Sequence, residues 1–300
     1  MSEYTNFLSE ENFAIFLFHG VIREQRHQIR NYTKKHLEEN IFARVIRELK
    51  NSGTPVSMPD IVAATLNGDQ LPPKAFAITF DDGFENNYSV AAPILRDLDV
   101  PCTFYVTTGF VEVHGLSWID KIEAVVEQTD CLRLDLPCPE LTGTFQTRAQ
   151  KIDLLNHIRR IVKGDRRIEP DEFAGEIARQ SGASTELDEQ LDYKMSWRQV
   201  RELHEDELFT IGGHSHTHRI LEYLDDAELE NEIAVSLNAL TENLSGAIEH
   251  YSYPEGMSNC YSDRVIRLLR DRGIVCSPTA EDGVNRIGDD LFRLKRIMVN

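Results

Sequence analysis

Three short apolar runs, each closing on polar residues, constrain this chain most. Residues 13–18 (FAIFLF) end at His19-Gly20, and residues 75–80 (AFAITF) end at Asp81-Asp82-Gly83. A third run, residues 101–107 (PCTFYVT), follows a short helical stretch over 89–98. Continuous apolarity over so few residues reads as strands covered on both faces, the habit of parallel sheets. Strand, helix and strand of similar length make a βαβ unit with a right-handed crossover.

A helical pattern over about 34–49, with Ile41, Val45 and Leu49 on one face, separates the first two runs and is stopped by Asn51-Ser52-Gly53. From Trp118 to about Glu207 the apolar runs weaken and charge becomes denser. Helices are predicted near 119–127, 149–162, 169–179 and 196–205, with a small strand at 132–136. We read this as a mainly helical insertion at about 115–207, packed over one side, with loops placed to cover the site. Alternation then resumes. A strand over 208–211 ends at Gly212-Gly213-His214, a long helix follows over 225–244 with Asp225 or Asp226 as N-cap, and a strand over 248–253 ends at Pro254-Glu255-Gly256. A helix over 262–272, a strand over 274–276 and the apolar residues of 292–299 complete the chain. Six or seven strands, each followed by a helix, predict an α/β fold. The arrangement is a closed or nearly closed β/α barrel, one domain over residues 1–300.

The chain has 300 residues, 41% of them hydrophobic, enough for one large core or two modest ones. Lys and Arg number 32 against 50 Asp and Glu, a formal charge of −18. That balance argues against broad contact with nucleic acid or an anionic membrane, and leaves room for a local cationic pocket. No run of 18 apolar residues predicts a membrane span. The acidic, polar stretch 1–11 lacks the pattern of a secretory signal, so a cytoplasmic location is expected. Cysteine appears five times, at 102, 131, 138, 260 and 276, with no CxxC pair. Free thiols are expected, including Cys131 and Cys138, which are spaced to bridge a hairpin.

Polar residues gather where the predicted strands end, and in a β/α barrel that face holds the site. Asp81-Asp82-Gly83 has the composition of a turn. Directly after a buried strand, however, its two carboxylates diverge, so that one can ligate a cation while the other remains a base. Three histidines crowd into His214-Ser-His-Thr-His218. His214 and His218 converge if a short helical turn forms there, with His216 pointing elsewhere. Two imidazoles and a carboxylate are a common ligand set for a hydrolytic zinc, and suit iron, cobalt or manganese as well. His19 shares the face as a substrate contact or an acid. Residues 252–256, SYPEG, form another rim, with backbone near Tyr253 able to donate to an oxyanion.

On these residues the sequence resembles the polysaccharide deacetylases, the NodB-homology carbohydrate esterases. Residues 79–83 (TFDDG) look like the family's first motif and residues 214–218 (HSHTH) like its second; residues 251–256 (YSYPEG) are similar to a divergent third. The resemblance runs from about Ala14 to the C-terminus, with the insertion outside it. It implies a distorted (β/α)7 barrel with one divalent metal, Zn2+ first and Fe2+, Co2+ or Mn2+ as alternatives. Asp82, His214 and His218 are the implied ligands and Asp81 the general base. The implied reaction is hydrolysis of an N-acetyl, less often O-acetyl, group on a sugar by metal-activated water. The sequence departs from the family in three places. Ser252 stands where the third motif usually has an Arg that orients the base. Glu255 replaces an aromatic residue. No His follows the late run 294–299 (LKRIMV), where the family places its acid. His19 is the replacement acid, and Arg296 is assigned to substrate or oxyanion, with service to the base as its other option. Tyr253, Pro254, Glu255 and Gly256 are grouped with it.

The expected substrate is an acetylated sugar, a glycan or a lipid- or nucleotide-linked sugar, with no nucleic acid and no membrane span. Two other readings remain open. One keeps the metal and changes the bond: an O-deacetylase, a deformylase or another non-peptide amidase on a small substrate. The other is a catalytically silent glycan-binding or assembly protein. The sequence leaves the oligomeric state open.

Overall fold

The computed structural model describes residues 3–113, 116–183 and 186–300. They form two compact units, one made of Met1–Arg23, His36–Val113 and Lys194–Asn300, the other of Glu24–Lys35 and His114–Tyr193.

The first unit is built on a parallel sheet. Strands β1 (Ala14–Phe18), β5 (Ala75–Phe80) and β6 (Cys102–Val106) are buried at every position. Two short strands, β2 (Gly20–Ile22) and β3 (His36–Glu38), pair with each other, and β4 (Thr54–Pro55) adds to β5. With β9 (Phe209–Gly213) and β10 (Ile297–Met298) the main order is β10-β1-β5-β6-β9, parallel throughout. Beyond β9 the sheet continues only as single bridges, Gly213 to Tyr251 and His250 to Cys276. The predicted strands at 248–253 and 274–276 are therefore reduced to one or two paired residues each. No disulfide joins any of the five cysteines.

Helices flank this sheet. In α1 (Glu39–Ser52) Phe42, Val45, Ile46 and Leu49 are buried, the i, i+3, i+4, i+7 stripe of a helix laid on a core. The sequence pattern began this helix near 34. Lys34 is left-handed (φ 56°) and residues 36–38 are drawn into a strand, so the helix starts five residues later. A helix the sequence pattern passed over, α2 (Met58–Asn67), begins with a capping box between Ser57 and Asp60 and a proline in its first turn. The predicted helix over 89–98 divides into a π-helical turn (Asn87–Ala91) and α3 (Ala92–Asp97); Pro93, with no N–H to give, sits at the join.

The second unit has its own apolar core. Its elements are α4 (Trp118–Gln128), the hairpin β7 (Leu132–Leu134) and β8 (Gly143–Phe145), α5 (Arg148–Gly164), α6 (Pro170–Ser181) and α7 (Glu189–Asp192). Ile122, Val125, Leu132, Leu155, Ile158 and Ile177 pack together there. Segment 24–35 belongs to this unit because carboxylates hold it. Glu127 accepts the backbone N–H groups of Gln28, Ile29 and Arg30, Glu123 accepts that of Asn31, and Arg30 pairs with Asp192. The sequence reading set the insertion at 115–207 and left segment 24–35 out. Helix α8 (Trp197–His204), counted with the insertion, lies in the first unit, as do α9 (Asp226–Asn243) and α10 (Asp263–Asp271). Among the described residues no helix is long and apolar enough to cross a membrane.

Candidate metal centre and active site

Asp81 and Asp82 follow β5, and the chain turns sharply between them: Asp82 is left-handed at φ 76° and Gly83 likewise at 76°. The turn sends the two side chains to different partners. Asp82 Oδ1 lies 3.2 Å from His218 Nε2 and 3.5 Å from His214 Nε2. One donor atom from each of the three residues falls within 4.8 Å of the others, and the cluster is able to hold a metal ion. His214 and His218 do not converge through a helical turn, as the spacing suggested. The 214–218 segment is irregular, and Ser215 and His218 are left-handed (φ 63° and 61°), which folds the rings to 5.0 Å between centroids. His216 turns away, with its Nδ1 3.0 Å from Thr108 Oγ1.

The donor chemistry fits a divalent cation. His214 Nδ1 lies 3.0 Å from the Ser252 carbonyl, which can only accept, so Nδ1 carries the proton and the Nε2 lone pair faces Asp82. Two imidazoles and a buried carboxylate then converge. Left-handed, non-glycine residues cost about 1–3 kcal/mol each and persist where surrounding structure fixes them; Asp82, Ser215 and His218 are three of them at this one site.

Asp81 belongs to a different arrangement. Arg296, 1% exposed, grips it with two parallel bonds, Nη1 to Oδ1 at 2.8 Å and Nη2 to Oδ2 at 2.7 Å. Its remaining donors go to the Thr279 carbonyl (2.5 Å), Ser252 Oγ (2.8 Å) and Thr79 Oγ1 (3.3 Å). Of the two options the sequence left for Arg296, substrate or Asp81, its guanidinium donors are spent on Asp81 and the strands beneath it. Burial alone would raise the Asp81 pKa; the charges of Arg296 and His214 outweigh it, and Asp81 stays below its ordinary value. His214 Nε2 is 3.9 Å from Asp81 Oδ2, so this carboxylate adjoins the candidate metal position. Burial lowers the His214 pKa while Asp81 and Asp82 raise it, and the net direction is upward.

His19 follows β1, and its charge also acts on Asp81. Its carbonyl accepts from Asn87 Nδ2 at 2.8 Å, while Asn86 Oδ1 accepts from Val21 N–H at 3.1 Å. These two asparagines, poor helix formers at the start of the π turn, were the signal for a pinned loop that the sequence reading did not use. Lys194 was also passed over. It is buried, with Nζ 3.2 Å above the Phe84 ring, just past the Asp81-Asp82-Gly83 turn.

The third-motif residues are divided in role. The Tyr253 side chain is committed to packing: its hydroxyl donates to the Phe292 carbonyl at 3.0 Å and its ring stacks on Tyr261 at 4.6 Å. Pro254 has no N–H, and the Gly256 N–H goes to the Pro254 carbonyl at 2.7 Å. The Ser252 N–H goes to the Gly213 carbonyl at 2.8 Å. Gly256 is fixed as glycine twice over, by φ 61° and by Ala280 N, 2.6 Å from where a Cβ would stand.

A parallel sheet with a His/His/Asp cluster and a second buried carboxylate at its strand ends defines a class of metal-dependent hydrolases. The polysaccharide deacetylase family model matches residues 68–276, more than half of the chain, and the protein belongs to that family. Solved structures agree on the fold. IcaB from Ammonifex degensii is 18% identical (TM-score 0.61, 98% of this chain and 94% of that one). The Streptococcus pyogenes deacetylase PplD, solved with acetate, is 16% identical (TM-score 0.61, 96% and 92%). A de-N-acetylase from Aggregatibacter actinomycetemcomitans is 17% identical (TM-score 0.62, 97% and 95%). No curated protein sequence matches this one.

Proposed function

We propose that this protein hydrolyses the N-acetyl group of an acetylated sugar, either a small sugar or a lipid- or nucleotide-linked one, with Zn2+ held by Asp82, His214 and His218. The observation that carries the reading is the placement of Asp81, locked by Arg296 and 3.9 Å from His214. The metal would polarise the acetyl carbonyl and acidify a water. Asp81, ionised and unable to rotate, accepts the proton of the attacking water. His19, on the neighbouring strand end, delivers a proton to the departing amine. The backbone N–H of Tyr253 donates to the oxyanion. Without the amine's proton the C–N bond breaks poorly, so the acid is what makes this site suit amides over esters. A cytoplasmic setting accords with five cysteines that form no disulfide.

Arg296 also bears on the catalytically silent alternative. The orienting Arg whose third-motif position holds Ser252 has a counterpart from the far end of the chain. Acetate release from N-acetylglucosamine, its oligomers and nucleotide-linked forms, with O-acetylated sugars alongside, tests the proposal. Release is expected from N-acetyl substrates, lost on chelation and restored by Zn2+. Asp81→Asn should keep the metal and lose about 10²–10⁴-fold in turnover. A Zn2+-loaded protein that is inert on the whole panel would refute the hydrolase.

A further inference from the structure

The 214–218 turn has to be held by its surroundings, because it has no regular secondary structure and two of its non-glycine residues are left-handed. One grip comes from the residues after β6. Thr107 Oγ1 donates to the His214 carbonyl at 3.0 Å, Thr108 N–H to that of Ser215 at 3.1 Å, and Gly109 N–H to that of His216 at 2.8 Å. The approach is so close that a Cβ on Gly109 would stand 2.4 Å from the His216 carbonyl oxygen.

The second grip is Glu232 of α9, 6% exposed. Its Oε1 accepts the His216 N–H at 2.9 Å, the Thr217 N–H at 2.5 Å and the Thr217 hydroxyl at 2.9 Å; Oε2 lies 3.0 Å from the same hydroxyl. A buried carboxylate is costly unless charge-assisted hydrogen bonds offset its desolvation, and here consecutive backbone groups supply them. We propose that Glu232 is a positioning residue of the metal centre, setting the 216–217 peptides so that His218 Nε2 faces Asp82. This rests on the metal-site reading above. Residues that aim a ligand commonly change metal affinity about 10–100-fold when removed. Ala at 232 would leave two N–H groups and a hydroxyl without their acceptor, and the turn would relax from its left-handed geometry. Gln preserves the shape: its Oε1 still accepts both N–H groups, and its amide donates to the Thr217 hydroxyl.

The test is the Zn2+ dissociation constant, by competition with a chromophoric chelator, in the full-length wild type, Glu232→Ala, Glu232→Gln, Thr217→Val and Asp82→Ala, each checked for folding by circular dichroism. Glu232→Ala is expected to weaken Zn2+ binding about 10–100-fold, with Glu232→Gln within about threefold of wild type. A folded Glu232→Ala with wild-type affinity would show that Glu232 only packs the turn. Equal losses in the Ala and Gln variants would replace the hydrogen-bond account with one of bare charge. If Glu232→Ala does not fold, Thr217→Val carries the test, because it deletes the hydroxyl contact alone; unchanged affinity there overturns the proposal. If the wild type binds no better than Asp82→Ala, the metal-site reading itself fails, and that result is separate from the others.

Discussion

Arg296 and Asp81 show how much depends on single atoms at this site. Two parallel N–H···O bonds fix both oxygens of the carboxylate, and a lysine cannot reproduce them, because an ammonium is a point charge without the planar fork. Arg296→Lys keeps the positive charge and frees the base to rotate. Turnover is expected to fall about 10–100-fold, the scale of a misplaced catalytic group, with KM and bound metal near wild type. Steady-state kinetics with metal analysis decide it; wild-type turnover would remove Arg296 from the positioning of the base. His250 presents the opposite case, a buried group with no Nδ1 partner among the described residues. Burial pushes its pKa down from 6.5 to about 4. The unfolded chain takes up a proton near 6.5, where the folded one does not. The contribution of His250 to stability is therefore complete above 6.5 and is lost as pH falls toward about 4. Fully lost, it amounts to about 3 kcal/mol. Denaturant melts at several pH values should show a steeper acid loss in wild type than in His250→Gln; equal slopes would contradict the assignment.

At the scale of elements, the sequence showed what local pattern can encode. The buried runs that became β1, β5 and β6, and the amphipathic repeats that became α4 to α6 and α8 to α10, were legible because burial on both faces or on one stripe leaves a periodic trace. The elements that depend on distant partners were less legible. The strand expected at 248–253 has the residues for pairing, yet it joins β9 through the single bridge of Tyr251 to Gly213 and the 274–276 segment through the single bridge of His250 to Cys276. Nothing local distinguishes a strand paired along its length from one that touches at a point. The same limit applied at the site. Asp82, His214 and His218 were recognisable from motif spacing, but the means of their convergence was not, because left-handed Ser215 and His218 carry no compositional signal of the kind glycine gives. For Arg296 the sequence left substrate and base both open, because nothing local ties it to Asp81, 215 positions away. Glu232 looked like one more acid on a charged helix until the structure placed it under the turn.

For the whole molecule, two units with separate apolar cores predict how stability responds to metal. The core residues of the first unit, from Phe13 to Val299, are none of those that cluster around Ile122, Leu155 and Ile177 in the second. Asp82, His214 and His218 all lie in the first unit. An ion that binds the folded state alone stabilises the unit that holds its ligands, by about 2.7 kcal/mol at a hundred times the dissociation constant. For a unit of this length each kcal/mol moves the midpoint about 2–4 °C, so a shift of roughly 5–10 °C is expected. The second unit has no share in those ligands and should melt where it did before. Scanning calorimetry of the chelated protein should resolve two transitions, with added Zn2+ moving one upward and leaving the other in place. A single transition that moves as a whole would mean that the two cores unfold as one cooperative body, and the energetic independence argued from their separate packing would be wrong. Asp82→Ala supplies the control, since without that carboxylate neither transition should follow the ion.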